Sequence, residues 1–163
     1  MAGGVCLNVG CIPSKSLLKN AEVAEMLRHG GKNFGFSVEN LKLDFGASVK
    51  RSRQVSDRLT KGVGFLMKKN NIDVHFGAAV LTNKSGIEIT DKDGQKKTLE
   101  ASNIVIATGA RPSLIPGVAV DEKKVLTYRE AILQEKLPAS AVIIGGGPLV
   151  WNLPRCGTPM AAK

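Results

Sequence analysis

No stretch of this 163-residue sequence approaches the roughly 18 to 20 consecutive apolar residues that span a bilayer, so neither a transmembrane helix nor a membrane partner is expected. The opening MAGGVC has no basic segment followed by an apolar one, which leaves no legible secretory signal or transit peptide and makes a cytoplasmic chain the expectation. Cysteine is scarce: three residues are too few for the disulfide framework of a small secreted domain. Aromatic residues make up only 4%, and no signature of a nucleic-acid reader accompanies the net charge of +9. Lys50, Arg51, Arg53, Arg58, Lys61, Lys68 and Lys69 do cluster, but they read as a solvated helix face, and nucleic acid is not an expected partner. Metal is not expected either. A structural zinc site needs four ligands, and Cys6 and Cys11 have only Cys156, His29 and His75 to join them, none at a recognisable spacing.

What the chain does have is ordinary for a globular protein: 43% hydrophobic and 23% charged residues, enough length for one domain or one plus part of another, and no internal repeat. Pro13 fits a first helical turn, with Leu17, Ala21, Ala24 and Leu27 at helical spacing behind it and an end at Gly30-Gly31. Asp44 can cap a second helix carrying Val55, Leu59, Val63 and Leu66 on one face, which Gly62 and Gly64 weaken without ending. After Asn70-Asn71 the period changes. Residues 72–76, 78–82 and 87–90 read as strands, with Asp93-Gly94 as a hairpin turn. SNIVIATGARP reads as a buried strand running into a glycine turn, residues 128–134 as a short helix, and residues 141–144 as a last strand opening on Gly145-Gly146-Gly147.

The stretch GGVCLNVGCIPSK, residues 3–15, concentrates the chemistry. Cys11 stands at the mouth of the helix opened by Pro13, where unpaired N–H groups and the helix dipole favour a thiolate. Lys15 adds a positive charge one turn on, and Gly3, Gly4 and Gly10 clear side chains from around the two cysteines. A low-pKa thiol beside a resolving thiol is the layout of a dithiol-disulfide redox centre, while two packed thiols are the plainer alternative. On these residues alone both readings stay open.

The same segment, extended to GGVCLNVGCIPSKSLLKNAEVA, resembles the active-site segment of the FAD-dependent pyridine nucleotide-disulfide oxidoreductases. The wording LNVGCIPSKSLL is closer to the branch of that family that oxidises dihydrolipoamide than to its mercuric or glutathione reductase branches. The resemblance continues through ATGARP at residues 107–112 to AVIIGGG, and so covers nearly all of residues 3–147. It implies an α/β fold: a partial FAD-binding Rossmann-like domain with an inserted antiparallel β segment, cut short at both ends. Residues 1–140 would form that partial domain, and residues 141–147 the first strand and glycine turn of an NAD-binding domain.

The resemblance also implies roles. Cys6 would be the interchange thiol that meets the lipoyl group, Cys11 the thiol facing the flavin, and Lys15 the charge near the flavin's redox-active nitrogen. Gly3 and Gly4 would let the backbone approach FAD, Ala79 would meet its adenosine part, Thr108 and Gly109 would sit against the flavin nucleotide, and Gly145 and Gly147 would begin the NAD fingerprint. The implied cofactors are FAD and NAD. The implied partners are the lipoyl-bearing acyltransferase of 2-oxo acid dehydrogenase complexes and, in the full-length family, a second copy in a homodimer. A eukaryotic source would shift the expected location to the mitochondrial matrix.

Departures from the family pattern carry their own expectations. The family's strand and G-x-G-x-x-G turn, which hold the FAD pyrophosphate, precede GGVC, where this sequence has only Met1-Ala2. Neither His29 nor His75 sits in the His-Glu motif of the family's C-terminal interface domain, and both read as surface or strand histidines. Val150 replaces the third glycine of the second fingerprint, and Pro148, Pro154 and Pro159 fall where the family has a continuous helix, so residues 148–163 read as a divergent, disordered tail with Cys156 incidental. The isolated chain is therefore expected to be colourless and inactive. The competing readings are another member of the family, or a non-catalytic remnant or interaction module without FAD.

Overall fold

Two glycines and a proline organise the start of the chain. In the computed structural model, which describes residues 2–160, Gly3 takes the left-handed conformation (φ 86°) and caps a short helix, α1, Gly4–Asn8. The chain turns at Val9 and Gly10 into α2, Cys11–Glu25, with Pro13 in the first turn, where a missing N–H leaves no hydrogen bond unmade. Gly10 is required by space. A Cβ there would lie 2.9 Å from the Val5 carbonyl and 3.3 Å from the Cys6 Cα. Helix α2 buries Pro13, Ser14, Ser16, Leu17, Ala21 and Ala24, and unwinds through a π turn at Met26–Gly30 and a 3-10 turn at Gly31–Phe34, where the glycine pair predicts its end.

Helix α3, Phe45–Lys69, is capped as expected: the Asp44 Oδ1 accepts from the Ala47 N–H at 2.9 Å. It runs through Gly62 and Gly64 unbroken. Its buried face differs from the expected apolar stripe. Ser48, Val49, Ser52 and Ser56 are buried, whereas Leu59 and Leu66 are 41% and 50% exposed. Serines at every fourth position make this face, and the Ser52 hydroxyl satisfies itself on the Val49 carbonyl at 2.7 Å. Helix α4, Tyr128–Ala131, is shorter than the expected 128–134 and starts at a capping box in which the Glu130 carboxylate accepts from the Thr127 N–H at 2.8 Å and the Thr127 hydroxyl accepts from the Arg129 N–H at 3.3 Å.

The expected disordered tail is instead largely helical. Residues Pro148–Gly157 form α5, with Gly147 as its cap, and a 3-10 turn follows at Thr158–Met160. Pro148 is harmless at the first helical position, and Pro154 is tolerated at the loss of one backbone donor because α5 packs along α2. Cys156 then joins Leu17, Val49 and Ile132 in the core. It is 4% exposed and far from incidental. Residues 161–163 lie outside the described residues.

The chain divides into two units, Met1–Val63 with Ala110–Lys163, and Gly64–Gly109. The second unit contains a three-stranded antiparallel sheet: β1 Ala78–Leu81, β2 Gly86–Thr90 and β3 Lys96–Glu100, in that order. Ala79 pairs with Ile89, and Ile87 with Leu99. The first turn is closed by Asn83, whose Oδ1 accepts from the Ser85 and Gly86 N–H groups, and the second by Asp91, whose Oδ1 accepts from Asp93 and Gln95, with Gly94 at φ 79°.

Three expected strands are absent from this sheet. Residues 72–76, the apolar run before ATGARP and residues 141–144 enter no β-ladder among the described residues. A continuous apolar run states which residues favour burial, but a strand also needs neighbours for its N–H and C=O groups, and these runs have none in place. Val105 and Val142 are accordingly 87% and 93% exposed.

Candidate active site

The two cysteines sit on either side of the Val9-Gly10 corner, Cys6 within α1 and Cys11 as the first residue of α2. Both are exposed and both are free thiols. They are mutually engaged. The Cys6 thiol is pushed above its ordinary value of 9.0, first by its hydrogen bond to the Cys11 side chain, then by desolvation and by the charge a neighbouring thiolate carries, while the Cys11 backbone N–H pulls the other way. A Cys6 thiol that keeps its proton can donate it to the Cys11 sulfur.

Lys15 lies four residues after Cys11 on α2, so the two share a helix face, and both are exposed on the side away from Ser14, Leu17 and Ala21. Lys15 also acts inward. The Cys156 thiol is raised by burial to about 11, and the Lys15 charge opposes that rise. Behind the pair, Gly3 and Gly4 have φ of 86° and 56°, so neither accepts a side chain without strain. A Cβ on Gly3 would run into the Leu7 side chain, whereas the space over Gly4 is open.

Gly145 (φ 131°) and Gly147, the cap of α5, belong to the same unit as the cysteine pair. Ala79, Thr108 and Gly109 belong to the other: Ala79 exposed in β1, Thr108 and Gly109 exposed beyond the apolar run, with Gly109 at φ 80°. His29 is an exposed surface residue 2.9 Å from the Glu25 carboxylate, and His75 is exposed in a segment outside the sheet. Among the described residues no group of three or more His, Cys, Asp or Glu side chains is placed to hold a metal ion, and no helix is long and apolar enough to cross a membrane.

Sequence reasoning passes over the residues that hold this corner together. The Asn8 amide donates to the Gly4 carbonyl at 2.8 Å and to the Ala2 carbonyl at 3.0 Å. The Asn8 carbonyl accepts from the Arg53 guanidinium of α3. Arg51 donates to the Ser16 hydroxyl at 2.9 Å and to the Asn20 Oδ1 at 3.3 Å, both on α2. The one signal available in the sequence is the run of serines at 48, 52 and 56, which marks a face too small to be a solvated one and puts Arg53 at its border.

Residues 1–150 match the profile of the family described as pyridine nucleotide-disulphide oxidoreductase. The chain belongs to that family. Its members use FAD and NAD(H). Over 147 residues the chain is 46% identical to a dihydrolipoyl dehydrogenase of Chlorobaculum parvum, an alignment covering 90% of this chain and 31% of that protein. It is 44% identical over 160 residues to the dihydrolipoyl dehydrogenase of Chlorobaculum tepidum, covering 96% and 34%, and 42% identical over 147 residues to that of Mycobacterium tuberculosis, covering 90% and 31%. The chain thus spans about a third of the length of the curated relatives it matches. In structure it resembles LpdA from Mycobacterium tuberculosis, with a TM-score of 0.73 at 22% identity over 83% of this chain and 30% of that one. That likeness shows the fold, a part of the family's α/β FAD-binding domain with its antiparallel β segment.

Proposed function

We propose that this chain is the redox-disulfide portion of a cytoplasmic dihydrolipoyl dehydrogenase, which oxidises the dihydrolipoyl group borne by the acyltransferase of a 2-oxo acid dehydrogenase complex. The observation that carries the reading is the pair of exposed free thiols set on either side of one tight corner, Cys6 within α1 and Cys11 as the first residue of α2. In the oxidised pair, one thiolate of the dihydrolipoyl group attacks the Cys6 sulfur, the Cys6–Cys11 bond breaks, and Cys11 leaves as a thiolate. The second dihydrolipoyl thiol then attacks the substrate sulfur of the mixed disulfide, releasing Cys6, so that two electrons have moved from substrate to the pair and the substrate ring is closed. Cys6 holds a proton well enough to remain a thiol beside the Cys11 sulfur after release.

The residues present suit a flat cofactor on the Cys11 side. Cys11 and Lys15 share an exposed face, and Gly3 and Gly4 keep Cβ atoms away from the adjacent backbone. When bound there, FAD supplies a two-electron acceptor that returns hydride to NAD. Lys15 would place its charge beside the flavin, Ala79 would meet the adenosine part, Thr108 and Gly109 would sit against the flavin nucleotide, and Gly145 and Gly147 would open the NAD site. In the full-length family the second copy of a homodimer would complete the site with an acid-base pair.

The test is oxidation by the disulfide form of lipoamide, followed by alkylation and peptide mass mapping. A Cys6–Cys11 linked peptide with Cys156 unlinked is expected. Recovery of Cys6 and Cys11 as alkylated thiols at every lipoamide concentration would overturn the reading.

A further inference from the structure

Helix α1 has five residues, too few to be stable by itself, yet it carries Cys6 and sets where that sulfur lies relative to Cys11. Something outside it must hold it. Its last carbonyls have no intrahelical donors, and the negative end of the helix dipole is concentrated there. The Asn8 carbonyl takes a guanidinium N–H from Arg53, and the Asn8 side chain reaches back to the Gly4 and Ala2 carbonyls, so the whole turn is tied to one anchor on α3. Arg53 is not a solvated charge. It is half-buried, its Nε is buried with no hydrogen-bond partner, and its other terminal nitrogen donates to the Ser56 hydroxyl at 3.3 Å. Such a burial is costly unless the group has something to hold. Two residues earlier, across the buried Ser52, Arg51 ties α2 through Ser16 and Asn20. The helices bearing the two cysteines are thus bonded to neighbouring arginines of a single helix.

We infer that Arg53 is a positioning residue for the redox pair: by fixing the end of α1 against α3 it holds Cys6 over Cys11, and so sets how strongly the two thiols favour their disulfide. The inference rests on the redox reading above. No electron or proton passes through Arg53. Its contribution is the effective concentration of one thiol at the other, which falls when α1 is free to move.

The experiment equilibrates the protein with mixtures of reduced and oxidised glutathione, quenches with acid, alkylates, and reads the fraction of Cys6–Cys11 disulfide by mass. Arg53→Met is expected to lower the effective concentration of the pair about tenfold, equivalent to about 30 mV for a two-electron couple. Arg53→Gln, a milder change that removes the guanidinium while keeping a polar side chain at this half-buried position, is expected to lower it in the same direction and decides the matter if Arg53→Met does not fold. Arg58→Met, an exposed arginine of the same helix, is expected to stay within twofold of the unaltered protein. An unchanged equilibrium in whichever of Arg53→Met and Arg53→Gln folds, or an equal fall in Arg58→Met, overturns the positioning role while leaving the redox reading intact. Absence of the disulfide in the unaltered protein at every glutathione ratio removes both.

Discussion

Cys6 and Cys11 are five residues apart and both exposed, and the Cys11 side chain raises the Cys6 thiol above its ordinary value. That rise has a measurable sign. Hydrogen bonding to Cys11 raises the Cys6 value, so at a given pH near 9 Cys6 presents less thiolate than an unperturbed cysteine. The rate of Cys6 alkylation by iodoacetamide should therefore climb with pH to a midpoint above 9.0, and in Cys11→Ala that midpoint should fall back toward 9.0. A midpoint that does not move in Cys11→Ala would show that the two side chains are not in contact. The pair, Lys15 and the glycines around them are legible in the sequence because each is a residue type that states its chemistry locally. Arg53 is not. An arginine in a basic run looks solvated until the fold reveals that the carbonyl at a helix end 45 residues earlier takes its guanidinium N–H, and Asn8 hides for the same reason.

Helices α2 and α3 could be read from their first residues: Pro13 and Asp44 act at short range, and short-range signals survive whatever the rest of the chain does. Helix α5 could not, since prolines argue against it locally and its apolar packing on α2 argues for it at long range. Burial wins here. Pro154 still leaves its mark, as it denies the helix one N–H in its interior, which typically costs about 3 kcal/mol when the ring also clashes. Pro154→Ala restores that donor and should raise the unfolding free energy by roughly 1–2 kcal/mol, seen as a higher urea midpoint at unchanged slope. A lower midpoint would mean that the proline is needed to shape α5 rather than merely tolerated in it.

Strand signals fared worst because a ladder is made by partners and not by the run itself. The hairpins of β1, β2 and β3 were readable where Asp93-Gly94 marked a turn, but residues 104–107 and 141–144 show apolar side chains to solvent. Val105, Ile106, Val142 and Ile144 are each at least 70% exposed, more apolar surface than a soluble chain ordinarily leaves open in consecutive residues. The protein should accordingly bind the dye ANS at neutral pH while retaining its helical circular dichroism, and the double change Val105→Lys with Val142→Lys should reduce that fluorescence by about half or more. Undiminished fluorescence in the double variant would place the dye elsewhere.

Exposure is distributed very differently among the three sulfurs. Three cysteines allow three pairings, yet the one on α5 is 4% exposed, in the core with Leu17, Val49 and Ile132. An oxidant in solution therefore meets a molecule with only one pairing on offer, and the burial of the third thiol acts as a guarantee of which cross-link the chain can make.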